Sequence, residues 1–412
     1  MDNNIFGHSV RQAQQGKDGA SAYKGASYGQ HKVREMVVPE FRGFPFVVNG
    51  TDRFYVLAGK KRYLDFSGSA MTTGYDFLKS VDLVSPVSTL VFRSAWNERL
   101  TKMLKQISGM KNVVYCTSGT EACEATLSRY ERPIIALENA YHGKGYLSYR
   151  ASNGAGIDKR NKMVHLKVPQ DPEEESNVQS HNEKLISDAA KAFDIEGSTL
   201  IFELVQSDGG VNVLSDGFIS SLRKIASEHH MHMAIDEVYT GMGRSGELLL
   251  SLKKRLNPDM ICIGKGMAAG LPLSAVLYGG NWNISYNGAF GMQSGNMLCS
   301  RAAVKTISGL TEKRLSFVRK KGKEIIKRLS SISNNNIKSV RGIGFMIGVE
   351  LTKNGKPLTD YTYELRSKLL KKGVVCSLVG AKSNIVKITP PPYIDEKTLD
   401  EGINRISAVL GE

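Results

Sequence analysis

Short apolar runs alternate with helical stretches from about Val87 to Ala303, and this alternation constrains the fold more than any other feature of the sequence. Parallel strands are buried on both faces, so they read as continuous apolar runs, and they need helical crossovers between them. The apolar runs are NVVYCTS (112–118), RPIIALE (132–138), STLIFELV (198–205), MHMAIDEV (231–238), DMICIGKG (259–266) and SAVLYGG (274–280). The pattern predicts an α/β fold with a mostly parallel sheet covered by helices on both faces.

The flanking regions follow a different pattern. After about Ala303 the sequence predicts helix, short strands and helix, which indicates a smaller α/β lobe. Near the N-terminus, short strand-like runs are broken by glycine and asparagine. A chain of 412 residues has room for two domains. We therefore predict an N-terminal segment, 1–75, that joins the small domain, a large domain, 76–305, and a C-terminal small domain, 306–412.

Composition argues against several classes of protein. The net charge is +15, but the densest basic run, RKKGKEIIKR (319–328), carries apolar residues at helical spacing and no aromatic residues. Its lysines read as the solvated side of a helix, so nucleic-acid binding is not expected. No apolar run is long enough to span a bilayer, and no secretory signal pattern opens the chain. The five cysteines show no CxxC spacing, which favours a cytoplasmic protein without a zinc site.

Candidate site residues follow the predicted strands, because ligands of open α/β sheets bind beyond the carboxyl ends of the strands. Ser118, Gly119 and Thr120 follow the first run and open a predicted helix. Free backbone N–H groups, two hydroxyls and a glycine make a suitable phosphate site there. Taken alone, these residues are better explained as an ordinary helix N-cap.

Further polar residues follow later runs. Tyr141 and His142 lie just past a strand end, where an aromatic ring can stack on a planar ligand. Glu203 interrupts an apolar run, and Gln206 and Asp208 follow it before two glycines. A buried carboxylate such as Glu203 needs a partner or a role, and a structural ion pair is the simpler explanation.

Asp236 and Lys265 complete the set. Asp236 ends a buried strand, and a buried aspartate is costly unless it faces a cation. Lys265 stands between two glycines after another apolar run, where a lysine can form an imine. Together these residues indicate pyridoxal 5′-phosphate, because they offer a phosphate site, a stacking aromatic, an acid for a ring nitrogen and a lysine that can form an imine. In that interpretation Asp236 keeps the ring nitrogen protonated, while Val238 and Tyr141 press on the two ring faces.

The sequence resembles the class III (ω-type) aminotransferases, which belong to the fold-type I pyridoxal-phosphate enzymes. The resemblance runs from about Val38 to the C-terminus. It rests on the motifs SGTEA, YHG, DEVYTGMGRSG, GKGMAAGLPLSA, SGNMLCSRAA, VRGIGFMIGVEL and TPPPYI, which occur in the order of the family.

The resemblance implies a large domain with a mostly parallel seven-stranded sheet, and a role for each site residue. Lys265 would form the Schiff base with the cofactor, and Asp236 would pair with its ring nitrogen. The remaining cofactor-binding positions would be Ser118, Gly119, Thr120, Tyr141, His142, Glu203, Gln206, Val238 and Gln293. Glu237 would support its loop. The resemblance implies no metal.

Four positions depart from the family pattern. Met292, followed by Gln293, stands where relatives place a threonine that reaches the phosphate of the partner subunit's cofactor. Tyr239 stands where glutamine is more common. Lys387 replaces an arginine that often binds the substrate carboxylate, and Asp208 replaces the glutamate that often pairs with it. These changes leave the substrate less constrained than the cofactor.

We therefore expect a cytoplasmic, homodimeric aminotransferase with active sites at the subunit interface. It would move an amino group from an amine or amino acid to an oxo acid in two half-reactions. Two alternatives stay open at this point: an aminomutase (glutamate-1-semialdehyde type) or racemase on the same fold, and a non-catalytic protein that binds the cofactor. Intact Lys265 and Asp236 argue against the second.

Overall fold

A computed structural model of the chain describes residue 48 and residues 50–68, 94–128, 132–152, 154–280 and 291–412. Most of the predicted N-terminal segment, 1–75, therefore lies outside the described residues. The described strands are β1 (Gly50–Asp52), β2 (Tyr55–Ala58), β3 (Lys61–Asp65), β4 (Asn112–Cys116), β5 (Ile134–Leu137), β6 (Gly156–Asp158), β7 (Met163–Leu166), β8 (Thr199–Phe202), β9 (Val205–Gln206), β10 (Asn212–Val213), β11 (His232–Asp236), β12 (Met260–Ile263), β13 (Ser274–Tyr278), β14 (Ile337–Ile343), β15 (Met346–Lys353), β16 (Lys356–Pro357), β17 (Val374–Val375), β18 (Ser377–Val379) and β19 (Ile385–Ile388).

The helices separate these strands as the sequence predicts. They are α1 (Ala95–Ser108), α2 (Gly119–Leu127), α3 (Tyr146–Ser152), α4 (Glu175–Ala192), α5 (Asp216–Glu228), α6 (Leu250–Lys253), α7 (Met297–Gly309), α8 (Glu312–Ser330), α9 (Thr359–Lys371) and α10 (Glu396–Leu410), with short 3-10 helices at Pro172–Glu174 and Lys265–Ala268.

The central sheet has the strand order β4-β13-β12-β11-β8-β5-β7-β6. Strands β12, β11, β8, β5 and β7 pair in parallel, and β13 pairs antiparallel with both β12 and β4. The mostly parallel sheet is confirmed. Among the described residues it is one strand wider than the predicted seven, because the three-residue edge strand β6 pairs antiparallel with β7. A strand of that length gives no usable sequence signal.

Alternate residues of the central strands feed two hydrophobic cores on opposite faces of the sheet. Ile134 and Ala234 pack with α2 on one face, while Ile135 and Ile235 point to the other. Helices α4 and α5 cover that second face, and α1 and α7 cover its continuation over β12 and β13. Burial on both faces explains why these strands read as unbroken apolar runs.

The C-terminal part builds its own sheet and core. β14, β15, β19 and β18 are neighbours in that order, and β16 pairs with β15. A further sheet has the order β1-β2-β3-β17, in which β3 runs parallel to β17 with Leu64 opposite Val374. Leu64 and Phe66 belong to the hydrophobic cluster of α8, α9 and α10. The residues just before 68 thus pack with the C-terminal part, while the domain boundaries near 75 and 305 stay predictions.

None of the helices in the described part of the chain is long and apolar enough to cross a membrane.

Candidate active site

The predicted site residues meet at one edge of the central sheet. Asp236 is the last residue of β11, and Lys265 follows the parallel neighbour β12, whose Cys262 lies opposite Asp236 in the register. Ser118, Tyr141 and Glu203 follow β4, β5 and β8. All of these strands run in the same direction, because β13 reverses once between β12 and β4. The topology therefore collects their carboxyl ends at one edge.

Helix α2 starts at this edge with an open N-terminus. Ser118 is the N-cap, and its hydroxyl accepts a hydrogen bond from the backbone N–H of Glu121 at 3.2 Å. The Glu121 carboxylate turns back to accept the Thr117 N–H at 2.8 Å. The Ser118 cap and the phosphate site are thus compatible interpretations, since the N–H groups at the start of the helix still point outward.

Val238 lies where the phosphate helix and the lysine loop converge. A β-carbon placed on Gly119 would come within 2.6 Å of Val238 Cγ1, and one placed on Gly264 within 3.5 Å of the same atom. Gly119 therefore cannot be replaced without displacing Val238. This convergence brings the start of α2, the Asp236 loop and Lys265 into one small volume.

Asp236 is held by three donors. His142 Nδ1 donates to Asp236 Oδ2 at 2.8 Å, and the Cys123 thiol donates to the same oxygen at 3.3 Å. The Val238 N–H donates to Oδ1 at 3.0 Å. Burial by itself raises the pKa of Asp236, but the hydrogen bond and charge of His142, with the charge of Lys265, hold that pKa below its ordinary value. Asp236 is therefore an ionised, rigidly held carboxylate.

The cluster of Cys123, His142 and Asp236 also has the composition of a metal site, since their ligand atoms lie within 4.8 Å of one another. The chemistry of the group argues against that function. The hydrogen bond to Cys262 and burial raise the pKa of Cys123 well above its ordinary value, so the thiol stays protonated. His142 uses Nδ1 to donate to Asp236, and the charge of Asp236 raises the pKa of His142 despite the opposing effect of burial. Thiolate and neutral imidazole are the forms that bind metals.

Lys265 occupies a strained and unusually isolated position. Its φ is +47°, in the left-handed region that a residue with a side chain seldom adopts. Its side chain is half-buried and forms neither an ion pair nor a hydrogen bond within the described ranges. Its Nζ instead lies 3.8 Å from the centre of the Tyr239 ring. Strain of this kind is retained where the position of a side chain matters.

Glu203 turns out to support the Tyr141 loop. Its Oε2 accepts the Tyr141 N–H at 2.9 Å, and its Oε1 accepts the Ser207 N–H at 3.3 Å. Burial raises the pKa of Glu203 to about 7, against the lowering effect of His142. The simpler explanation as an ion pair is not what the described residues show, because both carboxylate oxygens serve backbone amides.

Gln206 lies beside this loop and is fully buried. Its Nε2 donates to the Glu138 carbonyl at 2.8 Å, and its Oε1 accepts from Asn212 at 3.2 Å. The structure therefore places Gln206 at the same edge of the sheet, with both ends of its amide already engaged. Its predicted contact with the cofactor stays a prediction.

Asp208 and Lys387 meet, as predicted. Lys387 Nζ lies 2.8 Å from Asp208 Oδ1 and 3.1 Å from Ser207 Oγ. The Lys387 side chain is only 5% exposed, whereas that of Asp208 is 43% exposed. Burial lowers the pKa of Lys387, but Tyr239 and Asp208 more than compensate, so its pKa is raised and the ammonium persists.

Tyr239 is a neighbour of Lys265 that the sequence shows only as a departure from the family pattern. It is 9% exposed, and both Lys265 and Lys387 point at its ring. In the sequence, the only indication that Tyr239 lies in the site is its position three residues beyond Asp236.

Glu237 lies behind the site. It is completely buried and accepts hydrogen bonds from the N–H groups of Leu250 and Ser251, at 2.7 and 2.8 Å, and from the Ser251 and Thr240 hydroxyls. The two adjacent carboxylates thus have different roles, since Asp236 faces the site while Glu237 binds the N–H groups at the start of α6.

Gln293 stands apart from this cluster. Gln293 and Met292 are exposed on the single chain, and Met292 is 60% exposed. The backbone carbonyl of Gln293 accepts from Asn296, the N-cap of α7. The structure does not show Gln293 reaching the phosphate site of its own chain.

The residues present fit pyridoxal 5′-phosphate. The open N-terminus of α2 suits the phosphate, and the ionised Asp236 suits a protonated ring nitrogen. Among the described residues, the Lys265 amine forms no hydrogen bond or ion pair and contacts only the Tyr239 ring. His142 Nε2 is buried and has no hydrogen-bond partner within the described part of the chain, so this atom beside Asp236 is available to a bound group.

Comparisons with known proteins identify the family of the chain. The model of the family Aminotransferase class-III matches residues 43–410. An acetylornithine aminotransferase from Aquifex aeolicus is 31% identical over 85% of this chain and 93% of its own length. Ornithine aminotransferase 1 from Staphylococcus saprophyticus is 28% identical over 81% of this chain and 85% of its own length.

Among solved structures, a phospholyase from Arthrobacter in complex with phosphoethanolamine matches with a TM-score of 0.78 at 20% identity, over 90% of this chain and 95% of its own. That likeness shows the shared fold alone. The family match covers nearly the whole chain. The chain belongs to the class-III aminotransferases and is a pyridoxal-phosphate-dependent aminotransferase.

Proposed function

We propose that Lys265 is the covalent anchor of the cofactor and the base of the transfer reaction, and that Asp236 fixes the protonation of the cofactor ring. The observation that carries this proposal is the shared edge of the sheet, where the unpaired Lys265 follows β12 and the ionised Asp236 ends β11. Pyridoxal phosphate, when bound, supplies a conjugated ring that accepts the electron pair of the substrate carbon.

The protein supplies binding and proton transfer. The N–H groups opening α2, with the hydroxyls of Ser118 and Thr120, bind the phosphate. Asp236 holds a proton on the ring nitrogen, and His142 and Cys123 orient its carboxylate. Tyr141, braced by Glu203, and Val238 confine the ring. Lys265 Nζ, once it is no longer joined to the cofactor, would accept the proton of the substrate carbon and then donate it to the cofactor carbon to which Nζ had been joined.

A Lys265→Ala variant tests the anchor. Treatment with borohydride followed by peptide mass spectrometry should fix cofactor to Lys265 in the wild-type protein and to no lysine in the variant, with loss of turnover. Lys387→Met is the matched control, because it removes the other ammonium beside Tyr239 and should leave cofactor fixed at Lys265. Cofactor fixed at another lysine with activity retained would refute the assignment.

For the substrates, we propose an amino donor and an oxo-acid acceptor whose acid groups are selected by the Lys387–Asp208 pair. Lysine offers a point charge where arginine offers a planar fork, so Lys387 cannot bind a carboxylate through two parallel hydrogen bonds. The ammonium of Lys387 already forms an ion pair with Asp208. The enzyme would therefore not require an α-carboxylate on the amino donor. It would accept amines, and donors whose acid group is remote from the reacting amine. The names of the two relatives support donors of that kind, since the terminal amine of ornithine lies far from its carboxylate.

A Lys387→Arg variant tests this selection with ornithine and 1,4-diaminobutane, which is ornithine without the carboxylate. We expect the kcat/KM ratio to shift toward ornithine by about tenfold, since one added charged hydrogen bond contributes roughly 1.5 kcal/mol. Asp208→Asn, which frees the native lysine, should shift the ratio in the same direction. An unchanged ratio in both variants would remove the pair from substrate selection.

We also propose a homodimer with its active sites at the interface, located in the cytoplasm. The exposed side chains of Met292 and Tyr146, both near the site loops, support burial against a second copy. Free thiols on all five cysteines suit a reducing compartment.

A further inference from the structure

Tyr239 brings an aromatic ring against the amine of Lys265. The Nζ of Lys265 lies 3.8 Å from the ring centre, that of Lys387 lies 4.8 Å away, and the guanidinium of Arg244 lies 5.8 Å away. A cation over an aromatic face within about 6 Å is attracted by the quadrupole of the ring. The ring of one buried tyrosine thus lies within cation–π distance of three positive charges.

The three cations differ in what else holds them. Lys387 has Asp208 and Ser207. Arg244 donates to the carbonyls of Phe345 and Pro390. For Lys265, the structure shows no other side-chain partner within the described ranges, so the ring of Tyr239 is the group against which its ammonium rests.

The hydroxyl of Tyr239 is directed elsewhere. A β-carbon on Gly68 would lie 2.3 Å from Tyr239 Oη and 2.5 Å from Thr389 Oγ1, so the hydroxyl packs beside Thr389 at the end of β19. It forms no well-shaped hydrogen bond within the described part of the chain. Burial raises the pKa of this hydroxyl, but the charges of Lys387, Arg244 and Lys265 more than compensate and lower it, while the two lysine ammonium groups lie over the ring itself.

We propose that Tyr239 is a positioning residue for Lys265, and that the face of its ring holds the amine of the lysine whenever that amine is not joined to the cofactor. This inference rests on the proposed role of Lys265 and adds to it the place where the free amine is held. The ring keeps Nζ at the edge of the sheet where Asp236 ends β11, and the substrate carbon must arrive at that edge. Because Lys387 approaches the same ring, the group that recognises the substrate and the group that moves its proton share one aromatic neighbour.

Competitive labelling tests the proposal in the full-length protein loaded with pyridoxamine 5′-phosphate, in which Lys265 is not covalently occupied. The probe is acetic anhydride at limiting concentration, the readout is acetylation of Lys265 by peptide mass spectrometry, and the exposed Lys191 is the internal standard. The variants are Tyr239→Phe, which keeps the ring, and Tyr239→Leu, which removes it. Tyr239→Gln introduces the residue more common in relatives and replaces the leucine variant if that variant does not fold.

Only the neutral amine reacts, so loss of the ring should speed labelling of Lys265 at about pH 7 by roughly threefold to thirtyfold. The phenylalanine variant should stay within about twofold of wild type. At about pH 10.5, where an ordinary lysine is roughly half neutral, the difference in labelling between the leucine and wild-type proteins should narrow. A change in access alone would persist at both pH values.

Equal labelling of Lys265 in all variants would overturn the proposal, as would a phenylalanine variant that behaves like leucine or a difference that does not depend on pH. Borohydride fixation at Lys265 in the same variants separates this outcome from failure of the anchor itself. If cofactor is fixed at another lysine, the proposed function fails; if it is fixed at Lys265 and labelling is unchanged, only the role of Tyr239 fails.

Discussion

At the residue scale, neighbouring carboxylates acquire different roles from their hydrogen-bond partners. Asp236 accepts from a histidine, a thiol and one backbone amide and faces the site, whereas Glu237 is completely buried among donors of its own loop. Burial raises the pKa of Glu237, while His142 keeps the pKa of Asp236 low despite burial. The chain direction sends adjacent side chains to opposite sides, and the partners then set the chemistry of each.

Asp236→Asn should preserve most of the fold and cut the transfer rate by on the order of 10²- to 10³-fold, the typical cost of removing one preorganised electrostatic contact in a dry site. The amide cannot stabilise a protonated ring nitrogen as a carboxylate does. The measurement is the single-turnover rate with an amino donor, followed by absorbance. Because the pKa of Asp236 is below its ordinary value, the wild-type rate should show no titration of this group between about pH 5 and pH 9.

Glu237→Gln is the matched control. It should lower the free energy of unfolding by about 1–3 kcal/mol, because an amide nitrogen would face N–H donors that the carboxylate now accepts. The single-turnover rate should change far less than in Asp236→Asn. Near wild-type turnover in Asp236→Asn, or an equal loss of rate in both variants, would contradict the division of roles.

At the element scale, the sequence predicts the apolar strands well because burial on both faces leaves an unmistakable pattern. The same reasoning locates Asp236 and Lys265, since each directly follows such a run. It misses β7, a buried strand of four residues, as well as β6, which is three residues long, and β9 and β10, which are two residues each. Pairings this short depend on tertiary neighbours and not on local composition.

Side-chain partners were the harder part of the site. Glu203 was correctly singled out as a buried carboxylate, but the amides of Tyr141 and Ser207 come from separate turns that only the fold brings together. Cys123 gave no signal as a partner of Asp236, because they are 113 residues apart. Tyr239 stood out as an unusual residue, yet its contact with Lys265 requires the loop after β11 to fold over the loop after β12. Sequence periodicity carries no information on such contacts.

At the scale of the whole molecule, two sheets with separate cores enclose the site from different sides. Lys387 belongs to β19 of the C-terminal sheet, whereas Asp208 follows the short strand β9, which comes just after β8 of the central sheet. Arg244, in the loop beyond β11, donates to the carbonyls of Phe345 and Pro390. The Lys387–Asp208 ion pair therefore depends on how these sheets pack together.

The last prediction concerns the second copy of the chain. If Met292 faces the phosphate site of a partner subunit, Met292→Thr should tighten cofactor binding by about tenfold, since a hydrogen bond to a charged group contributes roughly 1.5 kcal/mol. Met292→Val is the matched control, because valine has the shape of threonine without its hydroxyl and should leave affinity unchanged. Cofactor dissociation constants from absorbance titration, with sedimentation velocity on the same samples, provide the measurement. Tightening only in the threonine variant, and only at protein concentrations where dimers form, supports a site completed across the interface. Equal affinity in both variants, or a monomer with full cofactor affinity and activity, would contradict it.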